Sequence, residues 1–142
     1  MKQKIRILLA DDHKMVRQGF RLILASQDDM DVVGETGDGR DAVELAKTLK
    51  PNVVVMDITM PELNGIEACH RMSRVVPAAK IIFVTQNNDA ETVRAALSNG
   101  ASGYVLKLDA NNELLPAVKA VLQGDRFVST RVKHGGGIAP SG

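Results

Sequence analysis

The chain has 142 residues, of which 44% are hydrophobic and 25% charged, and its formal net charge is +1. This length and balance fit one globular domain with a substantial core, and the near-neutral charge argues against a nucleic-acid-binding surface. Aromatic residues make up only 3% of the chain, which argues against a base-stacking platform as well.

Short apolar runs alternate along the chain with segments of helical periodicity. The runs are rich in Val, Ile and Leu and mostly continuous, which is typical of strands buried on both faces of a parallel sheet. In chain order the predicted elements are strand 5–10, helix 14–26, strand 30–36, a helix containing Ala42, Leu45, Ala46 and Leu49, strand 52–56, helix 64–76, strand 80–85, a helix containing Val93, Ala96 and Leu97, strand 103–107, and a helix containing Leu114, Ala117, Val118 and Val121.

Prolines and glycines mark the ends of these segments. Pro51 and Pro77 follow the second and third helical patterns, and Gly100 and Gly124 stand where helix C-terminal caps belong. Pro116 predicts that the last helix begins close before it, because a proline inside a helix removes a hydrogen bond.

The alternation predicts an α/β fold, a (βα)5 doubly wound parallel sheet with right-handed crossovers and helices on both faces. The expected strand order is 2-1-3-4-5, with the order reversing between strands 1 and 3. We assign this domain to residues 1–124. Residues 125–142 read as the start of an interdomain linker or a disordered tail, because the pattern ends there in a Gly/Pro/Ser-rich stretch.

Cysteine content and hydropathy indicate the compartment. The single cysteine, Cys69, has no partner for an internal disulfide, which suits a reducing environment. No apolar run reaches the roughly 20 residues that span a bilayer, and the start "MKQKIRILLADD" meets acidic residues too soon for a signal peptide. We therefore expect a cytoplasmic protein with no membrane partner.

Polar residues interrupt the apolar strands at their carboxyl ends. Asp11 and Asp12 follow strand 1, Asp57 follows strand 3, Thr85 ends strand 4 and Lys107 ends strand 5. In an open parallel sheet the ligand site forms beyond these ends, at the point where the strand order reverses. The sequence therefore predicts one polar site at this edge of the sheet.

Three carboxylates at one edge repel each other and need cations to stabilise them. Oxygen ligands without His or Cys favour Mg²⁺ over zinc, and Lys107 is placed to supply an ammonium. A metal that bridges carboxylate and phosphate oxygens neutralises the charge of a transferring phosphoryl group. Asp57, alone after the central strand, is the best candidate for a nucleophile that forms an acyl phosphate, with Asp11 and Asp12 binding the metal directly or through water.

Three motifs in combination carry a family resemblance over residues 4–124: "LADDHKMVRQG", "VVVMDITMPELNG" and "FVTQNNDAETVRAALSNGASGYVLK". The chain resembles a receiver domain of two-component response regulators, which has the flavodoxin-like, CheY-like fold. The stretch "KLDANNELLPAVKAVLQGDRFVS" is similar to the NarL/FixJ-type subgroup. Members of that subgroup carry a C-terminal helix-turn-helix, which we expect to lie outside this chain.

The resemblance implies a role for each matched residue. Asp57 is the phospho-acceptor, Asp11 and Asp12 hold Mg²⁺, and the backbone carbonyl of Thr59 is a further metal ligand. The remaining matches are Thr85 as a switch hydroxyl, Lys107 as a lysine that pairs with the phosphate, and Tyr104 as a switch aromatic residue.

The resemblance also implies partners and an output. A histidine kinase is the implied phosphoryl donor, and the implied output is a changed protein–protein contact or a homodimer. DNA is contacted only through the absent output domain, and the chain is a signalling domain that assists its own phosphorylation and dephosphorylation.

Other functions compete with this interpretation. A phosphatase of the haloacid-dehalogenase type also forms an aspartyl phosphate, but it usually needs a second Asp where this chain has Thr59. A flavodoxin-like cofactor binder needs a Gly- or Ser/Thr-rich phosphate loop, which "ADDHK" does not offer. A receiver-like module that binds partners without phosphorylation is the third alternative. The histidines His13, His70 and His134 are too dispersed to form a metal site, and His13, beside the acidic pair, at most supports the residues that bind the metal.

Overall fold

The fold is a six-stranded parallel sheet with helices on both faces, and this computed structural model describes residues 3–135. The strands are β1 (Ile5–Ala10), β2 (Met30–Thr36), β3 (Val53–Met56), β4 (Lys80–Thr85), β5 (Gly103–Leu106) and β6 (Phe127–Val128). The helices are α1 (Lys14–Ala25), α2 (Gly39–Leu49), α3 (Gly65–Val75), α4 (Ala90–Ser98), α5 (Ala110–Leu122) and α6 (Thr130–Gly135), with a 3₁₀ turn (Lys107–Asp109) before α5. None of the helices in this described range is long and apolar enough to span a bilayer.

The strand order is β2-β1-β3-β4-β5-β6, and every pairing is parallel. The predicted doubly wound sheet with order 2-1-3-4-5 is confirmed, and β6 extends it at the β5 edge. The reversal lies between β1 and β3, as the alternation of strands and helices predicted.

The strands are continuous apolar runs because both faces of the sheet are covered by helices, so that alternate residues of a strand pack into two different hydrophobic cores. In β1, Ile7 and Leu9 belong to the core covered by α1 and α5, whereas Leu8 and Ala10 belong to the core covered by α2, α3 and α4. All four residues are at most 1% exposed. Neither face of the strand can therefore carry the polar residues that a half-exposed strand would show.

Side-chain caps begin three of the helices, and glycines follow the ends of two. Asp38, Asn64 and Asp89 each accept a hydrogen bond from a backbone N–H in the first turn of α2, α3 and α4. Gly100 and Gly124 follow the ends of α4 and α5 with φ angles of 109° and 89°, a left-handed conformation that glycine adopts without strain. The predicted positions of these two turns are confirmed.

The start of α5 differs from the sequence prediction. The helix begins at Ala110, so that Pro116 lies inside it rather than near its start. An interior proline costs about 3 kcal/mol through the lost hydrogen bond and the ring clash. The fully buried Leu114, Ala117 and Val118 line the same helix and offset that cost by burying apolar surface against the sheet.

The segment after Gly124 also departs from the sequence prediction of a linker or disordered tail. Phe127 and Val128 pair with Gly103 and Tyr104 of β5. The Ser129 hydroxyl, fully buried, accepts from the Leu106 amide at 3.0 Å and donates to Glu113 Oε1 at 2.5 Å. Val132 is buried in the core.

The tail interpretation is therefore wrong for residues 127–135. A two-residue strand and a six-residue helix are too short to produce periodicity in the sequence. Residues 136–142 lie outside the described residues, and the domain boundary at residue 124 stays a prediction.

Candidate functional site

The register of the central strands brings the predicted acidic residues together. Ala10 and Met56 are partners in the β1–β3 pairing, so the residues that follow them, Asp11 and Asp57, emerge side by side. The Asp57 amide donates to the Ala10 carbonyl at 2.9 Å and the Asp11 amide to the Thr36 carbonyl at 3.0 Å. The backbone of both aspartates is thus held by the sheet itself.

Lys107 reaches these two carboxylates from the end of β5. Its Nζ lies 2.7 Å from Asp57 Oδ2 and 3.1 Å from Asp11 Oδ2. The side chains of Asp57 and Asp11 are only 6% and 2% exposed. Burial alone would lower the pKa of Lys107, but the hydrogen bond to Asp57 and the charges of Asp57 and Asp11 outweigh it, so the pKa is raised.

The geometry at the three carboxylates fits a divalent cation. Ligand atoms of Asp11, Asp12 and Asp57, together with one from His13, lie within 4.8 Å of one another. Asp11 Oδ2 is buried and forms an ion pair with Lys107 Nζ at 3.1 Å. Clustered carboxylate oxygens are the ligands that a hard divalent cation prefers.

The remaining predicted residues surround this group on neighbouring elements. Thr59 is exposed and lines a cleft of about 420 Å³ beside the site, on the loop between β3 and α3. Thr85 is 3% exposed and ends β4 opposite Leu106 of β5. Its hydroxyl accepts a hydrogen bond from the backbone N–H of Asn87 at 3.4 Å. The structure thus brings Lys107 into contact with Asp11 and Asp57 and places a carboxylate oxygen of Asp12 within 4.8 Å of theirs. Thr59 lies two residues after Asp57, and Thr85 ends the neighbouring strand β4.

Tyr104 is fully buried in β5, where its hydroxyl donates to the Asn87 carbonyl at 2.6 Å. Burial raises the pKa of this phenol, and the charges of Asp57 and Asp89 raise it further. The hydroxyl links β5 to the loop that connects β4 and α4. Its predicted role as a switch residue stays a prediction.

Arg17 and Glu35 support the site and were not identified from the sequence. The guanidinium of Arg17 donates a hydrogen bond from Nη1 to the main-chain carbonyl of Asp11. The Nε atom of the same side chain lies 3.1 Å from Glu35 Oε1. Arg21 Nη2 lies 2.6 Å from the other oxygen of Glu35. Burial alone would raise the pKa of Glu35, but hydrogen bonds and charges from Arg21 and Arg17 outweigh it and lower the pKa. The i, i+4 spacing of the two arginines on α1 was the available signal.

Gly65 holds the loop that follows Asp57. Its amide donates to the Ile58 carbonyl at 2.6 Å. A Cβ atom at this position would lie 2.2 Å from the Asp57 carbonyl oxygen and 2.8 Å from the Ile58 Cα. Since both neighbours are backbone atoms, a side chain at residue 65 forces the acceptor loop to move.

Replacing Gly65 with Ala is therefore expected to lower the free energy of unfolding by about 3 kcal/mol, the upper part of the range for overpacking. Urea unfolding followed by circular dichroism measures the change. Gly19→Ala is the control, because a Cβ there has no heavy atom within 4 Å. Gly19 lies inside α1, so that substitution should stabilise the protein by about 0.5–1 kcal/mol. Equal effects of the two substitutions would contradict the steric argument.

Comparisons with known proteins agree with this geometry. The family model described as "Response regulator receiver domain" matches residues 7–119. The uncharacterized transcriptional regulatory protein YxjL of Bacillus subtilis is 43% identical over 129 residues, covering 91% of this chain and 59% of that protein. The transcriptional regulatory protein DegU of Brevibacillus brevis is 38% identical over 133 residues, covering 94% and 56%. The chain therefore spans less than two thirds of the length of these relatives.

Solved structures show the same fold over nearly the full length of the chain. A two-component response regulator of the LuxR family from Aurantimonas sp. superposes with a TM-score of 0.88 at 36% identity, covering 93% of this chain and 94% of that one. The isolated REC domain of RcsB from Salmonella enterica serovar Typhimurium, solved in the presence of phosphomimetic BeF3-, superposes with a TM-score of 0.86 at 30% identity. That match covers 93% of this chain and 98% of the other.

Proposed function

The chain belongs to the response regulator receiver domain family, and from this premise we propose that it accepts a phosphoryl group on Asp57 from a histidine kinase. The proposed receiver unit is residues 1–124, and β6 and α6 add to it at the sheet edge. The observation that carries the proposal is the contact of Asp57 Oδ2 with Lys107 Nζ at 2.7 Å, next to the carboxylates of Asp11 and Asp12.

In the proposed reaction, a carboxylate oxygen of Asp57 attacks the phosphorus of the donor. A bond forms between that oxygen and phosphorus, and the bond from phosphorus to the donor's leaving group breaks, with the electron pair departing on the leaving group. The Ile58 amide donates to Asp57 Oδ1 at 2.7 Å and Lys107 contacts Oδ2, so both oxygens are oriented before the donor arrives. A preoriented nucleophile lowers the barrier because less freedom is lost in the transition state.

The residues proposed to hold Mg²⁺ are Asp11, Asp12 and Asp57 through their carboxylates and Thr59 through its main-chain carbonyl. When bound, Mg²⁺ neutralises charge on the oxygens of a transferring phosphoryl group. Lys107 supplies the second positive charge at the site. Because its ammonium already pairs with Asp57, it stays beside the acceptor oxygen as the charge there increases.

The proposed output is a two-state surface around α4, β5 and α5. A phosphoryl dianion on Asp57 attracts the hydroxyl of Thr85 and the ammonium of Lys107, and the movement reaches Tyr104 on β5. The resulting change alters a protein–protein contact or a homodimer. Because the names of the relatives describe transcriptional regulatory proteins, we propose that a longer protein containing this chain controls transcription through a C-terminal DNA-binding domain.

The proposed function is tested by incubating the protein with Mg²⁺ and a small acyl phosphate donor. We expect the intact mass to rise by one phosphoryl group, and borohydride reduction followed by peptide mapping to locate it at Asp57. A label on another residue, or no label on the folded protein, would refute the proposal. Continuous turnover of a generic phosphate ester would instead favour the phosphatase, and equal partner affinity with and without the donor would favour the phosphorylation-independent module.

A further inference from the structure

The segment after α5 is bound to the end of β5, directly before Lys107. The Ser129 amide donates to the Tyr104 carbonyl at 2.9 Å, and the Ser129 hydroxyl accepts from the Leu106 amide at 3.0 Å. Ser129 is fully buried, and β6 ends one residue before it, so a side chain supplies the last hydrogen bond of this strand pair. The amide of the last residue of β5 is therefore held by this hydroxyl.

Two acidic residues connect the same segment to the chain that follows Lys107. The Ser129 hydroxyl donates to Glu113 Oε1, in the first turn of α5, at 2.5 Å. Arg131 Nε lies 2.9 Å from Asp109 Oδ1, in the 3₁₀ turn that begins at Lys107. The segment thus binds both sides of the short stretch that carries the lysine, and one buried hydroxyl, donating and accepting at once, joins β5 to α5.

We propose that Ser129 is a positioning residue for Lys107. Residues 127–132, here called the C-terminal latch, hold the main chain before and after this lysine. The Ala110 amide fixes the Lys107 carbonyl from the α5 side, and the hydroxyl of Ser129 supplies the attachment on the β5 side. With both sides fixed, the ammonium of Lys107 is held 2.7 Å from Asp57 Oδ2. The proposal rests on the proposed function only in taking Lys107 as the cation that serves the acceptor.

The competing role for Ser129 is purely structural, namely to close the edge of the sheet without any effect on Lys107. In both roles Ser129→Ala lowers the free energy of unfolding, because the Leu106 amide and the Glu113 carboxylate lose their partner. The roles differ in whether the losses caused by removing Ser129 and by removing Lys107 depend on each other. The effects of independent sites add, whereas those of residues in one network do not. A double-mutant cycle therefore separates positioning from edge closure.

The experiment measures the effect of Lys107→Met on the free energy of unfolding in the full chain and in its Ser129→Ala variant. Urea unfolding is carried out without metal or phosphoryl donor. We expect the loss caused by Lys107→Met to be less than half as large in the Ser129→Ala protein, because the ammonium there is already displaced from Asp57. Ser73→Ala is the matched control background, since its hydroxyl donates to the His70 carbonyl within α3. There the loss caused by Lys107→Met should be unchanged.

Two further measurements apply if Ser129→Ala does not fold. Glu113→Ala removes only the carboxylate that accepts from Ser129, at a half-buried position, and should reduce the loss caused by Lys107→Met in the same direction by a smaller amount. Because coupling between two sites is reciprocal, Lys107→Met should also loosen the C-terminal latch. In native-state hydrogen exchange the Ser129 amide should then exchange severalfold faster in Lys107→Met, and at the unmodified rate in Lys119→Met.

An equal loss from Lys107→Met with and without the Ser129 hydroxyl would overturn the proposal. If only the Glu113→Ala background folds, an equal loss there would do the same, as would a Ser129 amide that exchanges at one rate in both lysine variants. None of these readouts depends on phosphoryl transfer, so failure of Asp57 labelling is a separate result.

Discussion

Replacing Asp57 with Asn is expected to abolish phosphoryl labelling by a small acyl phosphate donor. The substitution keeps the size of the side chain and both heavy-atom positions, but it removes the negative oxygen that attacks phosphorus. A neutral amide oxygen is too weak a nucleophile to take over the reaction. Intact-mass measurement after incubation with Mg²⁺ and the donor should therefore show no mass increase above background.

The matched control is Asp125→Asn, which makes the same chemical change at an exposed position after α5. This variant should be labelled as fully as the unmodified protein. Thermal unfolding of both variants checks that lost labelling does not reflect lost structure. Undiminished labelling of the Asp57 variant would show that another residue accepts the phosphoryl group.

Replacing Lys107 with Met is expected to lower the free energy of unfolding by about 3 kcal/mol at neutral pH without metal. The substitution leaves Asp11 and Asp57, 2% and 6% exposed, without the ammonium that pairs with both. Breaking a buried ion pair costs about 3–5 kcal/mol because the remaining charge is uncompensated. Added Mg²⁺ should restore part of the loss, since a cation bound to the carboxylates replaces the missing charge.

The pH dependence of this contribution follows from the raised pKa of Lys107. A lysine whose pKa is higher in the folded state stabilises the protein fully below its ordinary value of 10.5, and the stabilisation disappears as the pH rises through the folded-state pKa. The difference between the two proteins should therefore be constant across neutral pH and shrink only in strong base. Urea unfolding at several pH values measures it.

Lys119→Met is the control, because Lys119 is exposed on α5. Its effect on the free energy of unfolding should stay within about 0.5 kcal/mol, as for most surface substitutions. If Lys107→Met were equally mild, the ion pairs with Asp11 and Asp57 would contribute little to stability.

Sequence reasoning was most successful where a strand delivers a polar residue to the sheet edge. Asp11, Asp57 and Lys107 were predicted to meet because all parallel strands end at one edge, and their mutual distances agree with that prediction. The roles assigned to these residues rest on the resemblance and stay proposals.

Sequence reasoning failed where a feature depends on contacts between distant segments. Ser129 bonds to Leu106 and Glu113, 23 and 16 positions away, so no local pattern marks the segment as structured. Pro116 violates a local rule that the packing of α5 overrides.

The sequence by itself determined the order of strands and helices, the parallel sheet, and the edge at which the charged residues gather. These follow from local periodicity and from the rule that parallel strands expose their carboxyl ends together. Only the tertiary structure decided the distances that pair Lys107 with two carboxylates, the bonds of Ser129 to Leu106 and Glu113, and the addition of β6 to the sheet. Such contacts depend on distances between atoms far apart in the chain, which neither composition nor periodicity encodes.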